Sequence, residues 1–373
     1  MKVLITGAQG FIGKNLCLHL TERKDVEVVA FTRDQQTADL PRLLDGVDFV
    51  FHLAGINRPQ DPQEFISGNA DLTQALCMAI AESASAGMIQ VVYASSIQAG
   101  NDNPYGRSKL AAESALFDLQ RQRGTAVHVF RLPNVFGKWC RPNYNSAVAT
   151  FCHNIARELP IQINDPAAPL TLAYVDDVIA RFMQLLDGAA PAVDAHGFAT
   201  LTPQYLTTVG EVASKIAAFK ASRVSLVTDR VGTGLTRALH STYVSNLPPE
   251  AFSYTLPRHA DPRGVFVEML KTPDCGQFSY FTALPGVTRG GHYHHSKTEK
   301  FLVIEGQARF RFRHMLTGAT HELQTSADVP QVVETVPGWT HDITNTGEKD
   351  MVVMLWANEI FDREQPDTFA SPV

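Results

Sequence analysis

Short apolar runs alternate with amphipathic helical patterns up to about residue 240. The apolar runs that predict strands lie at residues 3–5, 26–31, 49–53, 91–94 and 127–130. Strands that alternate with helices form a parallel sheet with helices packed on both faces. The pattern therefore predicts an α/β fold for this part of the chain, with a Rossmann-type, doubly wound parallel sheet.

The pattern changes after about residue 255, where short strands rich in Phe, Val and Thr follow one another. Examples are residues 277–283, 300–304, 308–313 and 351–357. Such a series predicts an all-β barrel or sandwich. The stretch between the two patterns is typical of a linker and contains Gly232, Gly234, Pro248 and Pro249. We therefore predict two domains, residues 1–245 and residues 250–373.

Length and composition favour two domains and a small soluble substrate. With 373 residues, 45% of them hydrophobic, the chain exceeds the roughly 250–300 residues of a single core. The net charge of −6 is spread without runs of like charge, so we expect neither a nucleic-acid partner nor a membrane partner. The five cysteines lack C-x-x-C spacing, and the chain does not begin with the apolar stretch of a signal peptide. These features predict a cytoplasmic protein.

Three glycines, Gly7, Gly10 and Gly13, directly follow the first predicted strand, and a helix is predicted over residues 11–20. Glycines in this place let the turn close and let the backbone approach a pyrophosphate at the positive end of the helix. A tight turn without a ligand is the alternative. The strand before and the helix after favour a dinucleotide site with predicted contacts from Gly7, Gly10, Phe11, Ile12 and Gly13.

The end of the second predicted strand bears on the choice between NAD and NADP. Arg33 stands there, twenty residues beyond Gly13. An arginine in this place accommodates the 2′-phosphate of NADP, whereas an acid binds the free ribose hydroxyl of NAD. Arg33 therefore favours NADP(H), while the neighbouring Asp34 keeps NAD open and a solvated loop arginine is the alternative.

A set of motifs in the first half indicates a family. The motifs lie at residues 7–13, 52–55, 94–96, 105–109, 131–137 and 174–178. Together they resemble the extended short-chain dehydrogenase/reductase family that acts on nucleotide-sugars. The resemblance implies cofactor contacts from Leu53, Ala54, Gly55, Tyr105 and Lys109, and a substrate contact from Asn134.

Tyr105 and Lys109 are four residues apart, so on a helix they share one face. An ammonium nearby favours the phenolate form of a tyrosine whose ordinary pKa is near 10. Tyr105 can then exchange a proton with a carbonyl oxygen as hydride reaches the carbon. The family resemblance implies that Ser96 binds the same oxygen, with Ser95 as the alternative. It also implies that Asn69 supports the active-site helix, although a capping or surface role is open.

The second half carries a predicted metal site. Residues 286–306 and 337–345 resemble the two cupin motifs. On a strand, His292 and His294 face the same side, and Glu299 and His341 would join them from neighbouring strands. Three nitrogens and one oxygen suit a divalent transition metal, zinc first, with Mn, Fe or Ni open. Histidines satisfied by hydrogen bonds are the alternative.

The same domain resembles a second family. Residues 261–268 and 286–293 are similar to segments of the dTDP-4-keto-6-deoxy-sugar 3,5-epimerases. That resemblance implies that Arg263 and Arg289 clamp a nucleotide diphosphate, since a guanidinium binds phosphate bidentately. Surface salt bridges are the alternative. In that family the counterpart of His292 is a base and a lysine occupies the position of Glu299, so this chain departs from the epimerase site towards a metal site.

The order of a nucleotide-sugar reductase followed by an epimerase-like metal cupin, together with residues 138–146, resembles the CapF/WbjC-type bifunctional enzymes of capsular and O-antigen polysaccharide synthesis over the full chain. The resemblance implies a UDP-2-acetamido-2,6-dideoxy-4-keto-hexose, that is, a UDP-activated 4-keto-6-deoxy-amino sugar, as substrate. It implies C3 epimerisation in the cupin, followed by C4 reduction with NADPH to a UDP-N-acetyl-L-talosamine-type product. A homodimer is expected as the commonest assembly.

Several alternatives stay open at this point. The base of the epimerisation is not assigned, with Lys300, Asp342, Tyr293 and His314 as candidates. The cupin could instead be a structural or dimerising module beside a single reductase or epimerase activity. A third hypothesis is a redox-sensing protein that binds NADP without catalysis, although such a protein would not need Tyr105 and Lys109.

Overall fold

The computed structural model describes residues 1–257, 259–261, 264–266, 269–270, 272, 276–359 and 364–373. These residues form two compact units, each described by itself below. Unit 1 comprises Met1–Val135 and Thr171–Leu206, and unit 2 comprises Phe136–Leu170 and Thr207–Val373. The predicted substrate residue Arg263 lies outside the described residues.

The secondary structure follows the predicted change from alternating strands and helices to strands. The strands are β1 (Lys2–Thr6), β2 (Glu27–Phe31), β3 (Phe49–His52), β4 (Gln90–Ser96), β5 (Ala126–Leu132), β6 (Asn134–Phe136), β7 (Pro169–Tyr174), β8 (Tyr205–Thr208), β9 (Ser253–Thr255), β10 (His259–Asp261), β11 (Gly264–Phe266), β12 (Gln277–Ala283), β13 (Thr288–Tyr293), β14 (Glu299–Glu305), β15 (Gln307–His314), β16 (Thr320–Ser326), β17 (Gln331–Glu334), β18 (Trp339–Asn345), β19 (Met351–Ala357) and β20 (Phe369–Ala370). The helices are α1 (Phe11–Thr21), α2 (Leu40–Leu43), α3 (Gln63–Phe65), α4 (Leu72–Glu82), α5 (Pro104–Arg123), α6 (Ala147–Ala156), α7 (Val175–Leu186), α8 (Val209–Ser225) and α9 (Gly234–Ser245). A π-helical turn, Ile66–Asp71, joins α3 to α4.

Unit 1 is built on a parallel sheet with the strand order β2-β1-β3-β4-β5. Neighbouring residues of β3 pack on opposite faces, because successive side chains of a strand alternate. Val50 belongs to the core that contains Leu76 and Ile80 of α4, whereas the ring of Phe51 contacts Phe182 of α7 at 5.5 Å. Helices therefore cover both faces, which confirms the predicted doubly wound α/β fold.

The order of the strands also positions a cleft. The chain moves outwards from β1 to β2 on one side and continues with β3 on the other. The loops after β1 and β3 therefore diverge at the carboxyl edge of the sheet, which is where this class of fold binds its ligands. A second, three-stranded sheet has the order β6-β7-β8.

Unit 2 contains two five-stranded sheets, β12-β19-β14-β17-β9 and β16-β15-β18-β13-β20, together with the hairpin β10-β11. Neighbouring strands are antiparallel, as in β14-β19 and β15-β18. Phe310 and Phe312 of β15 are buried, and the ring of Phe310 contacts Phe301 of the other sheet at 5.6 Å. The two sheets confirm the predicted all-β cupin barrel.

The two compact units do not divide where the predicted linker lies. Helices α6, α8 and α9 pack against one another, and residues 136–170 and 207–245 cluster with the barrel strands rather than with the parallel sheet. Burial of one helix on another, rather than closeness along the chain, decides this grouping. The division at residues 245–250 stays a prediction. Among the described residues, no helix is both long and apolar enough to cross a membrane.

Candidate functional site

A cleft of about 760 Å³ opens at the carboxyl edge of the parallel sheet in unit 1. Six of the predicted cofactor residues line it, namely Gly7, Gly10, Arg33, Leu53, Ala54 and Gly55. The sequence patterns did not indicate several other lining residues, which are Gln35, Thr37 and Asp71. Gln35 and Thr37 lie in the segment after β2, and Asp71 lies in the π-helical turn. No sequence motif marks either segment, so their place in the cleft could not be predicted.

The glycine turn leaves no room for side chains. Gly7 has φ +71°, and a Cβ there would lie 2.6 Å from the backbone nitrogen of Ala54. A Cβ on Gly13 would lie 2.1 Å from the carbonyl oxygen of Gly7. Gly10 is the N-cap of α1 and offers no side-chain cap, so the first-turn N–H groups keep their capacity to bind an anion. The predicted residues Phe11 and Ile12 lie in that first turn.

Arg33 is exposed and lines the cleft beyond the end of β2. Within the described part of the chain it makes neither a hydrogen bond nor a salt bridge. Asp34 does not line the cleft, and its carboxylate accepts a hydrogen bond from the hydroxyl of Thr32 at 3.4 Å. The guanidinium is therefore available to an anionic group bound in the cleft.

Helix α5 places Tyr105 and Lys109 on one face. It begins at Pro104, where Asn103 caps it by accepting the N–H of Gly106 at 2.7 Å. The buried ammonium of Lys109 donates to the carbonyl of Ala94 on β4 at 3.1 Å. Burial lowers the pKa of Lys109 to about 8, against an opposing effect of Glu113.

Tyr105 differs from the expectation of an easily ionised phenol. Burial raises its pKa above the ordinary value, and a hydrogen bond with Ser96 acts in the opposite direction without reversing the shift. Desolvation therefore dominates, and Tyr105 keeps its proton at neutral pH.

The two candidate serines have different surroundings. The hydroxyl of Ser95 is buried and donates to Glu113 at 2.5 Å. Arg131 completes this buried contact through two hydrogen bonds to the same carboxylate, of 3.0 Å and 2.6 Å. Ser96 is half-buried, its hydroxyl accepts the backbone N–H of Gln98 at 3.1 Å, and it is near enough to Tyr105 to act on the pKa of that phenol. The geometry therefore brings Ser96, not Ser95, to the tyrosine.

Asn69 links the cleft to the active-site helix. Its Nδ2 donates to Ser108 of α5 and to the carbonyl of Ile56, both at 3.0 Å. Its Oδ1 accepts the N–H of Ile56 at 2.8 Å, and the side chain is 1% exposed.

The buried His52 connects Thr6 and Thr73 through hydrogen bonds of 2.7 Å and 2.8 Å, and Thr73 donates to the carbonyl of Asn69 at 2.6 Å.

The predicted substrate residues differ in their setting. Asn134 is exposed on β6 and donates to the carbonyl of Thr171 at 3.4 Å. In unit 2, a β-bulge between Gly290 and His292 shifts the register, so that Arg289 pairs with Ile343. Because Ile343 and His341 are two positions apart, Arg289 lies on the same sheet face as the predicted metal ligands.

The four predicted metal ligands come together in unit 2. One ligand atom from each of His292, His294, Glu299 and His341 lies within 4.8 Å of the others. His292 is half-buried and the other three are buried. Burial, joined by the neighbouring histidines, lowers the pKa of His292 to about 3, which leaves its ring neutral and able to coordinate.

Two observations show that these residues fit a divalent cation. Nδ1 of His294 is 2.6 Å from the carbonyl oxygen of Asp367, so this nitrogen carries the hydrogen. In the neutral ring the other nitrogen, Nε2, directs a lone pair at Glu299 Oε2, only 3.1 Å away, and a cation between the two atoms would relieve their repulsion. In addition, neither ring nitrogen of the buried His341 has a hydrogen-bond partner among the described residues.

The four candidate bases occupy other surroundings. Lys300 forms a buried ion pair with Glu334, and Asp342 accepts from Arg311 at 3.0 Å. Tyr293 packs against Phe369 at 5.6 Å. Each of these three follows or precedes a ligand by one position on its strand and therefore faces the other side. The fourth candidate is His314, the last residue of β15. Its Nδ1 accepts the backbone N–H groups of Leu316 and Thr317, both at 3.1 Å.

Comparison with known proteins identifies the first half. Residues 3–194 match the NAD dependent epimerase/dehydratase family. The chain belongs to that family. This is an NAD(P)-binding fold, in agreement with the glycine turn and the cleft. Residues 259–369 match a second family, described as polysaccharide biosynthesis C-terminal domain.

Individual relatives match the full chain. The chain is 62% identical to the UDP-2-acetamido-2,6-beta-L-arabino-hexul-4-ose reductase of Pseudomonas aeruginosa, over 100% of this chain and 99% of that protein. It is 42% identical to the capsular polysaccharide assembling protein CapF of Staphylococcus aureus, whose crystal structure superposes with a TM-score of 0.69 and full coverage of both chains. The predicted resemblance to CapF-type proteins is confirmed.

A more distant structure shares the fold of one part. The UDP-glucuronic acid 4-epimerase of Bacillus cereus is 20% identical, with a TM-score of 0.51 over 59% of this chain and 83% of that one. At this identity the likeness concerns the fold alone.

Proposed function

We propose that the chain reduces the C4 ketone of a UDP-2-acetamido-2,6-dideoxy-4-keto-hexose with NADPH, in the synthesis of a surface polysaccharide. The observation that carries the proposal is the 62% identity, over the whole chain, to a protein named as a reductase of such a UDP-4-keto sugar. The contact between Tyr105 and Ser96 supports it, because ketone reduction needs an acid beside a second hydrogen-bonding group.

Three residues of unit 1 have separate roles in the proposed reduction. When bound, NADPH supplies the hydride to C4. The phenol of Tyr105 donates its proton to the C4 oxygen, and its raised pKa keeps it in the acid form that this step requires. Ser96 hydrogen-bonds the same oxygen. The ammonium of Lys109 stabilises the phenolate that remains. This role requires a charged lysine, and Glu113 favours that form because it opposes the lowering of the Lys109 pKa by burial.

The preference for NADPH rests on Arg33. Its guanidinium lines the cleft and has no anionic partner within the described part of the chain. A 2′-phosphate would supply that partner through charge-assisted hydrogen bonds. NAD remains the alternative, since residues 3–194 match a family of NAD dependent epimerases and dehydratases.

The barrel is proposed to epimerise C3 of the same sugar before the reduction. Hydrogen at C3 is acidified by the neighbouring C4 ketone. His292, His294, Glu299 and His341 would hold a divalent metal, zinc first, and when bound such an ion acts as a Lewis acid towards a carbonyl oxygen. Arg289, on the same sheet face, is proposed to bind the diphosphate. We assign the proton-abstracting base to none of the four candidates.

A second candidate function is a single reductase activity beside a structural or dimerising barrel. The Pseudomonas relative favours it, because that protein is named as a reductase alone. Under either hypothesis we propose a cytoplasmic homodimer that binds neither nucleic acid nor membrane. The apolar side chains of Phe278, Tyr280 and Ile304, exposed on the outer face of one sheet, support a protein interface there.

The test is an incubation of the purified protein with NADPH or NADH and a panel of UDP- and dTDP-4-keto sugars. We expect oxidation of NADPH with the UDP-2-acetamido-2,6-dideoxy substrate, and a C4-reduced product by NMR. Turnover of none of the UDP sugars would contradict the proposal. Product with unchanged C3 configuration would favour the single reductase activity.

A further inference from the structure

The strand β20 and the residues around it pack on β13, which carries His292 and leads directly to His294. In β20, Ala370 pairs with His292 and Phe369 pairs with Tyr293. The N–H of Ser371 donates to the carbonyl of Gly291 at 2.8 Å. This pairing brings Asp367, just before the strand, to the loop that joins His294 to Glu299.

The carboxylate of Asp367 organises that loop. Its Oδ1 accepts the backbone N–H of His295 at 2.9 Å. Its Oδ2 accepts the backbone N–H groups of Ser296 and Lys297 at 2.9 Å and 2.8 Å, and the hydroxyl of Ser296 at 3.1 Å. Four donors thus converge on one carboxylate, which is a much stronger set of contacts than a single neutral hydrogen bond. The loop between two ligands is therefore wound around an anion.

The main chain of Asp367 acts on the ligand itself. Its carbonyl oxygen lies 2.6 Å from Nδ1 of His294, so Nδ1 donates to it and Nε2 is the nitrogen directed at Glu299. The residue has φ +34°, in the left-handed region that Asp tolerates better than most residues. This conformation lets its carbonyl and its carboxylate reach the same loop.

The next residue extends the contact to the second ligand. Thr368 accepts a hydrogen bond from the buried ammonium of Lys297 at 2.9 Å. The same nitrogen lies 3.7 Å from Glu299 Oε1. The segment therefore reaches His294 directly and Glu299 through one side chain.

We propose that Asp367 is a positioning residue of the metal centre. Its carbonyl selects the tautomer of His294, and its carboxylate sets the path of the loop that separates His294 from Glu299. The inference rests on the metal site of the proposed function. Groups that hydrogen-bond to metal ligands in this way typically change metal affinity by about 10–100-fold when they are removed.

Asparagine at this position is the sharpest perturbation. Asp367→Asn keeps the size of the side chain but replaces one acceptor oxygen by an NH₂ group, which would face backbone donors. The matched control is Asp350→Asn, an exposed carboxylate in the turn before β19. Both variants lose one negative charge, so their difference reports on the position and not on net charge.

The experiment titrates metal-free full-length protein with Zn²⁺ against a chromophoric chelator. We expect Asp367→Asn to bind Zn²⁺ about 10–100-fold more weakly than the wild type and Asp350→Asn to bind as the wild type does. In a parallel titration with Co²⁺, the visible d–d bands should change in Asp367→Asn and not in the control, because the ligand geometry changes. Activity plays no part in either readout.

The outcomes separate this inference from the proposal on which it rests. A wild type that binds no metal contradicts the metal site itself. A wild type that binds metal, with an Asp367→Asn variant of equal affinity and an identical Co²⁺ spectrum, overturns the role of Asp367 alone. If that variant does not fold, hydrogen exchange of the metal-free wild type decides. The amides of His295, Ser296 and Lys297 should be protected, and rapid exchange would overturn the inference.

Discussion

The buried carboxylate of Glu113 offers a prediction in which stability and catalysis are coupled. Glu113 is 1% exposed and accepts hydrogen bonds from Ser95 at 2.5 Å and from two nitrogens of Arg131 at 3.0 Å and 2.6 Å. It stands one helical turn beyond Lys109 on α5 and raises the pKa of that lysine. The substitution Glu113→Gln removes the charge and keeps the shape.

The loss of stability follows from the contacts. Breaking a buried ion pair costs about 3–5 kcal/mol, because the remaining charge is left without a partner. The Arg131 side chain is 30% exposed, so solvent recovers part of that loss. A glutamine also turns an NH₂ group either towards the guanidinium, which has only donors, or towards the hydroxyl of Ser95, which must then rotate to accept instead of donate. We therefore expect Glu113→Gln to lower the free energy of unfolding by about 2–3 kcal/mol.

The same substitution should change the pH dependence of reduction. Burial already lowers the pKa of Lys109 to about 8, and Glu113 opposes that shift. Without Glu113 the pKa falls further, so Lys109 loses its proton at a lower pH than in the wild type. If charged Lys109 supports catalysis, activity on the alkaline side is lost as the pH rises through this pKa. The alkaline limb of the kcat/KM profile should therefore move to lower pH in Glu113→Gln.

Chemical denaturation and pH-dependent kinetics test both parts. The matched control is Asp118→Asn on the same helix, where the carboxylate pairs with Arg121 at the surface with 50% of its side chain exposed. That variant should lose at most about 0.5 kcal/mol and keep the wild-type profile. A Glu113→Gln variant as stable as Asp118→Asn, or with an unmoved alkaline limb, would refute the reasoning.

Three further predictions concern single steps. Tyr105→Phe should bind NADPH normally and reduce the substrate at least about a hundredfold more slowly, measured by stopped-flow oxidation of NADPH; near-normal turnover would assign the proton to another group. Arg33→Ala should weaken NADPH binding and leave NADH binding unchanged in calorimetric titrations, and equal affinity of the wild type for both cofactors would count against a 2′-phosphate contact. His294→Ala should abolish the entry of solvent deuterium at C3 while NADPH still binds, with thermal unfolding as the control for loss of the barrel, and undiminished exchange in a folded variant would exclude a catalytic metal.

The features that could be predicted are those that one element carries by itself. The spacing of Gly7, Gly10 and Gly13 reports on one turn, and its geometry is local. The spacing of His292 and His294 reports on the end of β13 and the residue after it. Such patterns need only the repeat of a helix or strand, so they predict a site without knowledge of any tertiary contact.

What could not be predicted depends on contacts between distant positions. Asp367 acts on His294 across 73 residues, and a lone Asp between Pro and Thr has no pattern that would single it out. The hydrogen bond from Ser95 to Glu113 likewise depends on the packing of β4 against α5. Without it the two adjacent serines look equivalent.

Burial also changed chemistry that residue types alone suggested. The proximity of Lys109 predicted an acidified Tyr105, yet desolvation has the larger effect and raises the pKa of the tyrosine. The bulge beside Gly290 changes the alternation of side chains along β13, which places Arg289 on the inner face against simple counting from His292. Both effects arise from the surroundings of the residue and not from its spacing.

The most direct test of the proposed two-step activity is one incubation in deuterated water, with NADPH and the UDP-2-acetamido-2,6-dideoxy-4-keto-hexose, followed by NMR of the product. Enolate formation in the barrel should place deuterium at C3, and hydride from NADPH should place ordinary hydrogen at C4. We predict a single product with both labels and one NADPH consumed for each molecule formed. A reduced product with ordinary hydrogen at C3 would contradict epimerisation by the barrel, and deuterium exchange without oxidation of NADPH would contradict the reductase.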